Sequence, residues 1–415
     1  MAQWKRRGTV IMATTSLIAS GAGYFGAGEA SAAFAPRPGP IFNDPESSHA
    51  RQYAIVQQIE DNIRAAPKGS VIRVAVFSMD LDEVADALIA AHERGVHVKV
   101  LMDQHAKNSL WNRLVAELGS KVSTKSASSY AVLCHGGCMA HHYSNGKPIS
   151  WLHTKYFLFS GGGKPTVTLT SANPTVAQAE VTWNNSYTVV GNSGLYDAYV
   201  KNFTDMSKGA AGTHKTNYYW TYGSNPKAYF WPKATGAGDT IEAMLKLITC
   251  SATYPSQVRI AMYQWSDTRL AVAKRLASMA SKGCKVTVIY TKDQVSSGVR
   301  STLAKSKVDV RDTTHGTTGD GYAAYYTHNK YLLINGRYNG VSGRKIVMTG
   351  SANYTANALY HNDESDMKLT SSSAYSAYLT NFNDQIAAVP AATAKQRALG
   401  ELPTIPIDPE EAEDS

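Results

Sequence analysis

The apolar positions of the chain fall into one series of elements that is run through twice. Val71 to Phe77 (VIRVAVF) is a near-continuous, β-branched apolar run and predicts a buried strand. Asp82 to Arg94 then places Val84, Ala87, Leu88 and Ala91 at helical spacing, with acidic residues in the first turn and Gly95 as C-cap, and a second strand follows at Val98 to Met102. The second half repeats this with a strand at Val258 to Tyr263, a helix from about Asp267 to Lys282 ending at Gly283, and a strand at Val286 to Tyr290. Strand, helix, strand predicts an α/β unit in each half, with a parallel or mixed sheet covered by helices.

The repeat continues into polar residues. Trp151 to Phe159 (WLHTKYFLF) and Val167 to Asn173 (VTLTSAN) are matched by His328 to Ile334 (HNKYLLI) and Ile346 to Asn353 (IVMTGSAN). In both copies a strand opening on His-x-Lys leads, through a Gly-rich turn, to a strand ending in Ser-Ala-Asn. Core patterning alone does not account for shared polar residues.

These patterns divide the chain into a first half over 33–207, a linker rich in Tyr, Thr and Gly over 208–227, and a second half over 228–390. Residues 391–415 turn Ala-rich, then Pro-containing and acidic, and are expected to be a mobile, dispensable tail. At the other end, Lys5, Arg6 and Arg7 precede a small-residue apolar stretch from Thr9 to Gly28, and Ala30-Ser31-Ala32 has the small-x-small form of a cleavage site. Residues 1–32 therefore read as a signal peptide, with an extracellular mature protein starting near Ala33. A membrane anchor is the competing reading, but Thr, Ser and Gly interrupt the stretch and no stop-transfer pattern follows. The paired arginines hint at a twin-arginine route, in surroundings that match that signal poorly.

Composition narrows the class. A chain of 415 residues that is 43% hydrophobic can bury substantial cores, which excludes a disordered or fibrous protein. The formal charge of +9 suits nucleic acid, an anionic lipid surface or a phosphate-bearing substrate, although secreted proteins also carry such a charge without a polyanionic partner. Export implies an oxidising compartment for the four cysteines. Cys134 and Cys138 lie close enough to close a small loop, leaving Cys250 with Cys284. A zinc knot with His141 and His142 is the alternative, with spacing unlike the common zinc modules.

On a strand, residues i and i+2 share a face, so His153 projects with Lys155 and His328 with Lys330. Ser171 with Asn173, and Ser351 with Asn353, obey the same rule. A pseudo-twofold axis between the halves gathers all eight around one pocket. That set suits covalent cleavage of a phosphodiester: one imidazole attacks phosphorus while the other, starting protonated, gives its proton to the leaving alcohol. Lysines and Asn amides stabilise the charge on the non-bridging oxygens, and the scheme calls for no metal or cofactor.

These residues resemble the phospholipase D superfamily, whose HxKxxxxD signature occurs twice, each followed by a G/S-S-x-N element. The resemblance spans essentially the whole mature chain and implies a duplicated α/β/α sandwich with mixed sheets and a phosphohistidine mechanism at the interface of the halves. The signature aspartate falls at Ser160 and Asn335. The carboxylate that orients a catalytic His in the family is matched by Glu364 in the second half and, in the first, by Ser186. The resemblance assigns His153 as nucleophile. A carboxylate raises the basicity of the His it holds, so if Glu364 pairs with His328 that residue becomes the protonated acid.

The superfamily site serves lipases, nucleases and phospholipid synthases alike, and the substrate is read from surroundings. Tyr322, Tyr325 and Tyr326 precede His328, where an aromatic rim would hold a choline headgroup or rest on a bilayer. The same aromatics would stack nucleotide bases, or simply pack. Ser171, Ser351, Tyr325 and Tyr326 are the candidate substrate contacts, and Ser128 to Ser150 a candidate lid. The leading expectation is a monomeric secreted phospholipase D acting at a membrane or micelle surface. An extracellular nuclease is second, and a homologue with weakened turnover third.

Overall fold

The computed structural model describes residues 34–123, 125–251, 253, 255–400 and 405–407. The proposed signal peptide and the last eight residues lie outside them. The remaining chain forms one compact unit built on two mixed sheets with the same order. The first runs Gly39–Phe42, Asn185–Val190, Thr166–Thr170, Tyr156–Phe159, Val71–Val76, His97–Asp103, Tyr130–Cys134. In the second, Lys227–Phe230, Ser365–Thr370, Val341–Gly350, Lys330–Tyr338, Gln257–Met262, Lys285–Tyr290 and Asp309–Asp312 follow in the same spatial order, with Trp220–Tyr222 added at the edge. In each, the two βα crossovers give parallel pairs and the other pairs are antiparallel. The duplicated α/β architecture expected from the repeat is present.

Alternation along the strands explains the layers. Ile72, Val74 and Val76 face a core under the helices Ala54–Arg64, Asp82–Glu93 and Ser109–Leu118, while Ala75 between them faces inward. Val258, Ile260 and Met262 face the outer core of the second half, and Ala261 faces inward. Both inward faces join one shared core with Ser193–Ala210 and Ser372–Ala388, through Leu158, Tyr199, Leu333 and Tyr378. The halves are thus fused through apolar area, the dominant favourable contribution to association.

Several boundaries differ from the sequence reading. The segment read as a linker begins inside the helix Ser193–Ala210 and contributes the edge strand Trp220–Tyr222, because its aromatics pack: Trp220 stacks on Phe230 at 4.4 Å. The expected mobile tail includes the helix Ala391–Leu399, whose Ala398 joins the outer core, and Ile405 and Ile407 then pack beside Tyr263, Ala323 and Tyr326. Among the described residues no helix is long and apolar enough to cross a membrane.

Candidate active site

Two short parallel bridges stitch the halves together directly ahead of the two histidines. Leu152 pairs with Asp363, and Tyr326–Thr327 pair with Thr182–Trp183. The His153 and Thr154 amides donate to the Asp363 carbonyl at 3.1 and 2.7 Å, and the His328 amide donates to the Trp183 carbonyl at 3.0 Å. Each bridge carries the next residue of one half onto the histidine of the other. Glu364 accepts from His153 Nδ1 at 2.7 Å, and Asn184 Oδ1 meets His328 Nδ1 at 3.0 Å.

This exchange corrects two expectations. Glu364 holds the histidine of the opposite half rather than His328, because it directly precedes the strand Ser365–Thr370, where the bridge of Asp363 to Leu152 joins the halves. The residue matching Glu364 is Asn184, not Ser186, which lies two positions further on and reaches toward Gln58. Ser171 and Ser351, expected as substrate contacts, act behind these partners: Ser171 donates to Asn184 Oδ1 at 2.8 Å and Ser351 donates to Glu364 Oε2. The middle residues of the two motifs reinforce the exchange, Thr154 pairing with the Ser365 hydroxyl and Asn329 Oδ1 accepting from Asn185 at 2.7 Å.

His153, Lys155, His328, Lys330, Asn173, Asn353 and Glu364 are all buried, 3% exposed or less. Lys155 and Lys330 sit at the openings of matching strands. Lys155 donates to the His153 carbonyl at 2.8 Å, and the Lys330 ammonium reaches His328 Nε2 at 2.7 Å. Asn173 Oδ1 accepts from the Phe77 and Ser78 amides, and Asn353 Oδ1 from the Gln264 amide, which fixes each side chain with Nδ2 as its donor end. A cleft of 460 Å³ adjoins on the second-half side, lined by Gln264, Trp265, Arg300 and Thr355 among others.

The electrostatics divide the two imidazoles. Burial, then Lys330, Lys155 and His153, push His328 well below the ordinary histidine range, and the neutral amide of Asn184 supplies no charge to oppose them. His153 has a carboxylate at Nδ1, which selects the Nδ1–H tautomer and assigns Nε2 to chemistry.

Sequence reasoning missed Phe77 and Tyr263, which directly follow the matching strands Val71–Val76 and Gln257–Met262. The Phe77 ring lies 6.0 Å from His153 and 5.6 Å from Lys155 Nζ; the Tyr263 ring lies 4.6 Å from His328 and 5.0 Å from Lys330 Nζ. Their matched position was the available signal. Tyr326, expected on a rim, is buried 5.9 Å from Tyr263, and Tyr325 is half-buried against His315. The candidate lid is buried over most of 130–140, with only the hairpin Tyr143–Pro148 largely exposed. Cys134 pairs with Cys138 and Cys250 with Cys284. Ser160 and Asn335 lie five residues beyond the lysines along their strands, roughly 16 Å away at about 3.3 Å per residue. There Ser160 accepts from the Val71 amide and Asn335 pairs with Lys345.

Two His-x-Lys pairs from duplicated mixed α/β halves, meeting at one interface, define a phosphodiesterase fold of the phospholipase D superfamily. The chain belongs to this superfamily: the family model described as cardiolipin synthase, PLD-like domain, matches residues 59–206 and 245–386. No curated protein matches it in sequence. Among solved structures it is similar to phosphatidylserine synthase from Haemophilus influenzae Rd KW20, with TM-score 0.54 and 12% identity over 84% of this chain and 90% of that one. It is also similar to polyphosphate kinase from Porphyromonas gingivalis, with TM-score 0.52 and 13% identity over 87% of this chain, and it spans only 55% of the length of that kinase.

Proposed function

We propose that the protein is a secreted phospholipase D that cleaves the headgroup ester of a phosphatidyl lipid such as phosphatidylcholine, through a phosphohistidine on His153. The observation that carries the chemistry is the unequal partnering of the two histidines, Glu364 on His153 and Asn184 on His328. His153 Nε2 attacks phosphorus, and the bond to the headgroup oxygen breaks as protonated His328 gives that oxygen its proton. Glu364 stabilises the phosphorylated imidazolium, while Lys155, Lys330 and the Asn173 and Asn353 amides stabilise charge on the non-bridging oxygens. Neutral His328 then takes a proton from water, which attacks phosphorus and releases phosphatidic acid and His153. An alcohol in place of water gives transphosphatidylation.

Binding of an anionic phosphodiester offsets the repulsion that Lys155 and Lys330 exert on His328, so the substrate itself promotes protonation of the acid. The lipid reading is supported by the matched family, described by cardiolipin synthase, by the fold shared with phosphatidylserine synthase, and by the export signal read in the sequence. A nuclease is the second reading, favoured by the basic charge of the chain. The expectation of weakened turnover passes from Ser160, Asn335 and Ser186, which do not partner either histidine, to Asn184, the neutral partner of His328. Purified protein offered phosphatidylcholine vesicles and single-stranded DNA in excess chelator decides among these readings. Choline release supports the proposal, DNA cleavage alone would transfer the mechanism to a nuclease, and activity on neither would overturn it.

A further inference from the structure

The partner exchange leaves one interfacial carboxylate with no role in the reaction. Asp363, 2% exposed, precedes Glu364 and reaches back into the first half. Its carboxylate accepts from the Met139 amide at 3.2 and 3.0 Å and from the Cys138 amide at 2.5 Å, at the end of the loop closed by Cys134–Cys138 and one residue beyond it. Its backbone accepts from the His153 and Thr154 amides, and its own amide donates to the Trp151 carbonyl.

That loop is itself fixed. Met139 accepts from the Lys215 amide at 2.8 Å, Ser150 donates to the Gly136 carbonyl, and a Cβ at Gly209 would collide with the Cys138 carbonyl, so the helix Ser193–Ala210 lies directly on it. A rigid first-half loop therefore grips the second-half residue that sets both the main chain of His153 and the position of Glu364. The matching place beside His328 is Trp183, which makes the same backbone bridge and has no carboxylate to be gripped.

Resting on the phosphodiesterase reading, we infer that Asp363 is a positioning residue for the nucleophile, acting through the Cys138 and Met139 amides to hold Glu364 on His153. The carboxylate brace stands on the side where a bond to phosphorus forms, whereas the backbone amide of Asn184 on the other side donates to the neutral Asn43 Oδ1 at 2.6 Å. Geometry at the nucleophile is demanding, since misplacement of about 1 Å can cost on the order of 100-fold in rate. Burial pushes the Asp363 carboxyl up to about 7, a poor arrangement for stability alone and one often met at functional sites.

The test compares the full-length wild type with Asp363→Ala, Asp363→Asn, Gly137→Ala and the Asp363→Ala/Gly137→Ala double variant. Gly137 has φ +81°, and a Cβ there would lie 2.7 Å from the Ala140 carbonyl oxygen and 3.3 Å from Asp363 Oδ2, so it disturbs the contact from the loop side. With bis(4-nitrophenyl) phosphate as probe, Asp363→Ala is expected to lower kcat by about 10- to 100-fold with KM changed less than about threefold. Asp363→Asn, which keeps one acceptor for the two amides, recovers part of the loss. The double variant is no slower than the slower single variant, since both remove one contact. Nitrogen NMR of the His153 ring reads the same contact without turnover: one Nδ1–H tautomer in the wild type, a mixture in Asp363→Ala. Folded Asp363→Ala protein with wild-type kcat, or with an unchanged tautomer, overturns the inference, as do multiplicative losses in the double variant. Should a variant fail to melt cooperatively, Asp363→Asn is read in its place. If the wild type cleaves no phosphodiester, the proposed function fails, while the tautomer still decides the role of Asp363.

Discussion

Replacing Asn184 with aspartate tests the division of labour between the histidines. The new carboxylate would stand at the 3.0 Å now separating Asn184 Oδ1 from His328 Nδ1. At an effective dielectric of about 20, attraction across that distance is about 5.5 kcal/mol. Burial of the carboxylate offsets much of it, because Asn184 Nδ2 now donates to the Gln178 carbonyl, which would face an anionic oxygen. The Thr182 and Ser171 hydroxyls can both donate to that carboxylate. An opposite charge in contact typically moves a pKa by about 1–3 units, and about two units is expected here. In the free wild-type enzyme His328 lies well below the usual histidine value, so the protonated acid is depleted, and kcat/KM falls, as pH rises on the acid side of the usual histidine range. Asn184→Asp should shift that descending limb upward by about two units, measured from pH 4 to 9 on bis(4-nitrophenyl) phosphate. A limb that stays in place, or moves to lower pH, would refute the assignment of His328 as the acid.

Glu364→Gln keeps the shape of the His153 partner and removes its charge. The expected loss in kcat is on the order of 100- to 10,000-fold with little change in KM, read by steady-state kinetics. Ser351→Ala, which frees Glu364 from one donor, is expected to cost kcat less than Glu364→Gln does, in the same assay. Asp363 and Asp366 are both raised to about 7, chiefly by burial. Groups raised on folding contribute stability that is complete below their unfolded pKa near 4 and lost as pH rises through about 7. Thermal melting should therefore show greater stability at about pH 5 than at about pH 8, and replacing Asp366 with asparagine should flatten that dependence.

Much of this site was legible in the sequence because it is built twice. A lone His-x-Lys on a strand has many explanations, but two copies, each leading to Ser-Ala-Asn, require a shared task. The periodicities that locate strands and helices carry no information on which half supplies a partner, so the crossing of Glu364 onto His153 was not readable from them. Asn184 was within reach: Ser171 precedes it by 13 residues, and Ser351 precedes Glu364 by 13. Reading from the serines aligns the two partners, whereas matching the acidic cluster by eye stops at Ser186. The tyrosines failed for another reason. Whether an aromatic is rim or core depends on what covers it, and Tyr326 is covered by Ile405 and Ile407, from a segment whose composition suggested mobility.

The central claim, that His153 is the nucleophile and His328 the acid, is tested most directly by rapid-quench trapping of the phosphoenzyme. Protein mixed with phosphatidylcholine radiolabelled at phosphorus is denatured in base, digested and mapped by mass spectrometry. The account predicts acid-labile label on the peptide containing His153, appearing and decaying at rates that match turnover, and absent in His153→Asn. Label on the peptide containing His328, or turnover with no labelled histidine, would contradict it.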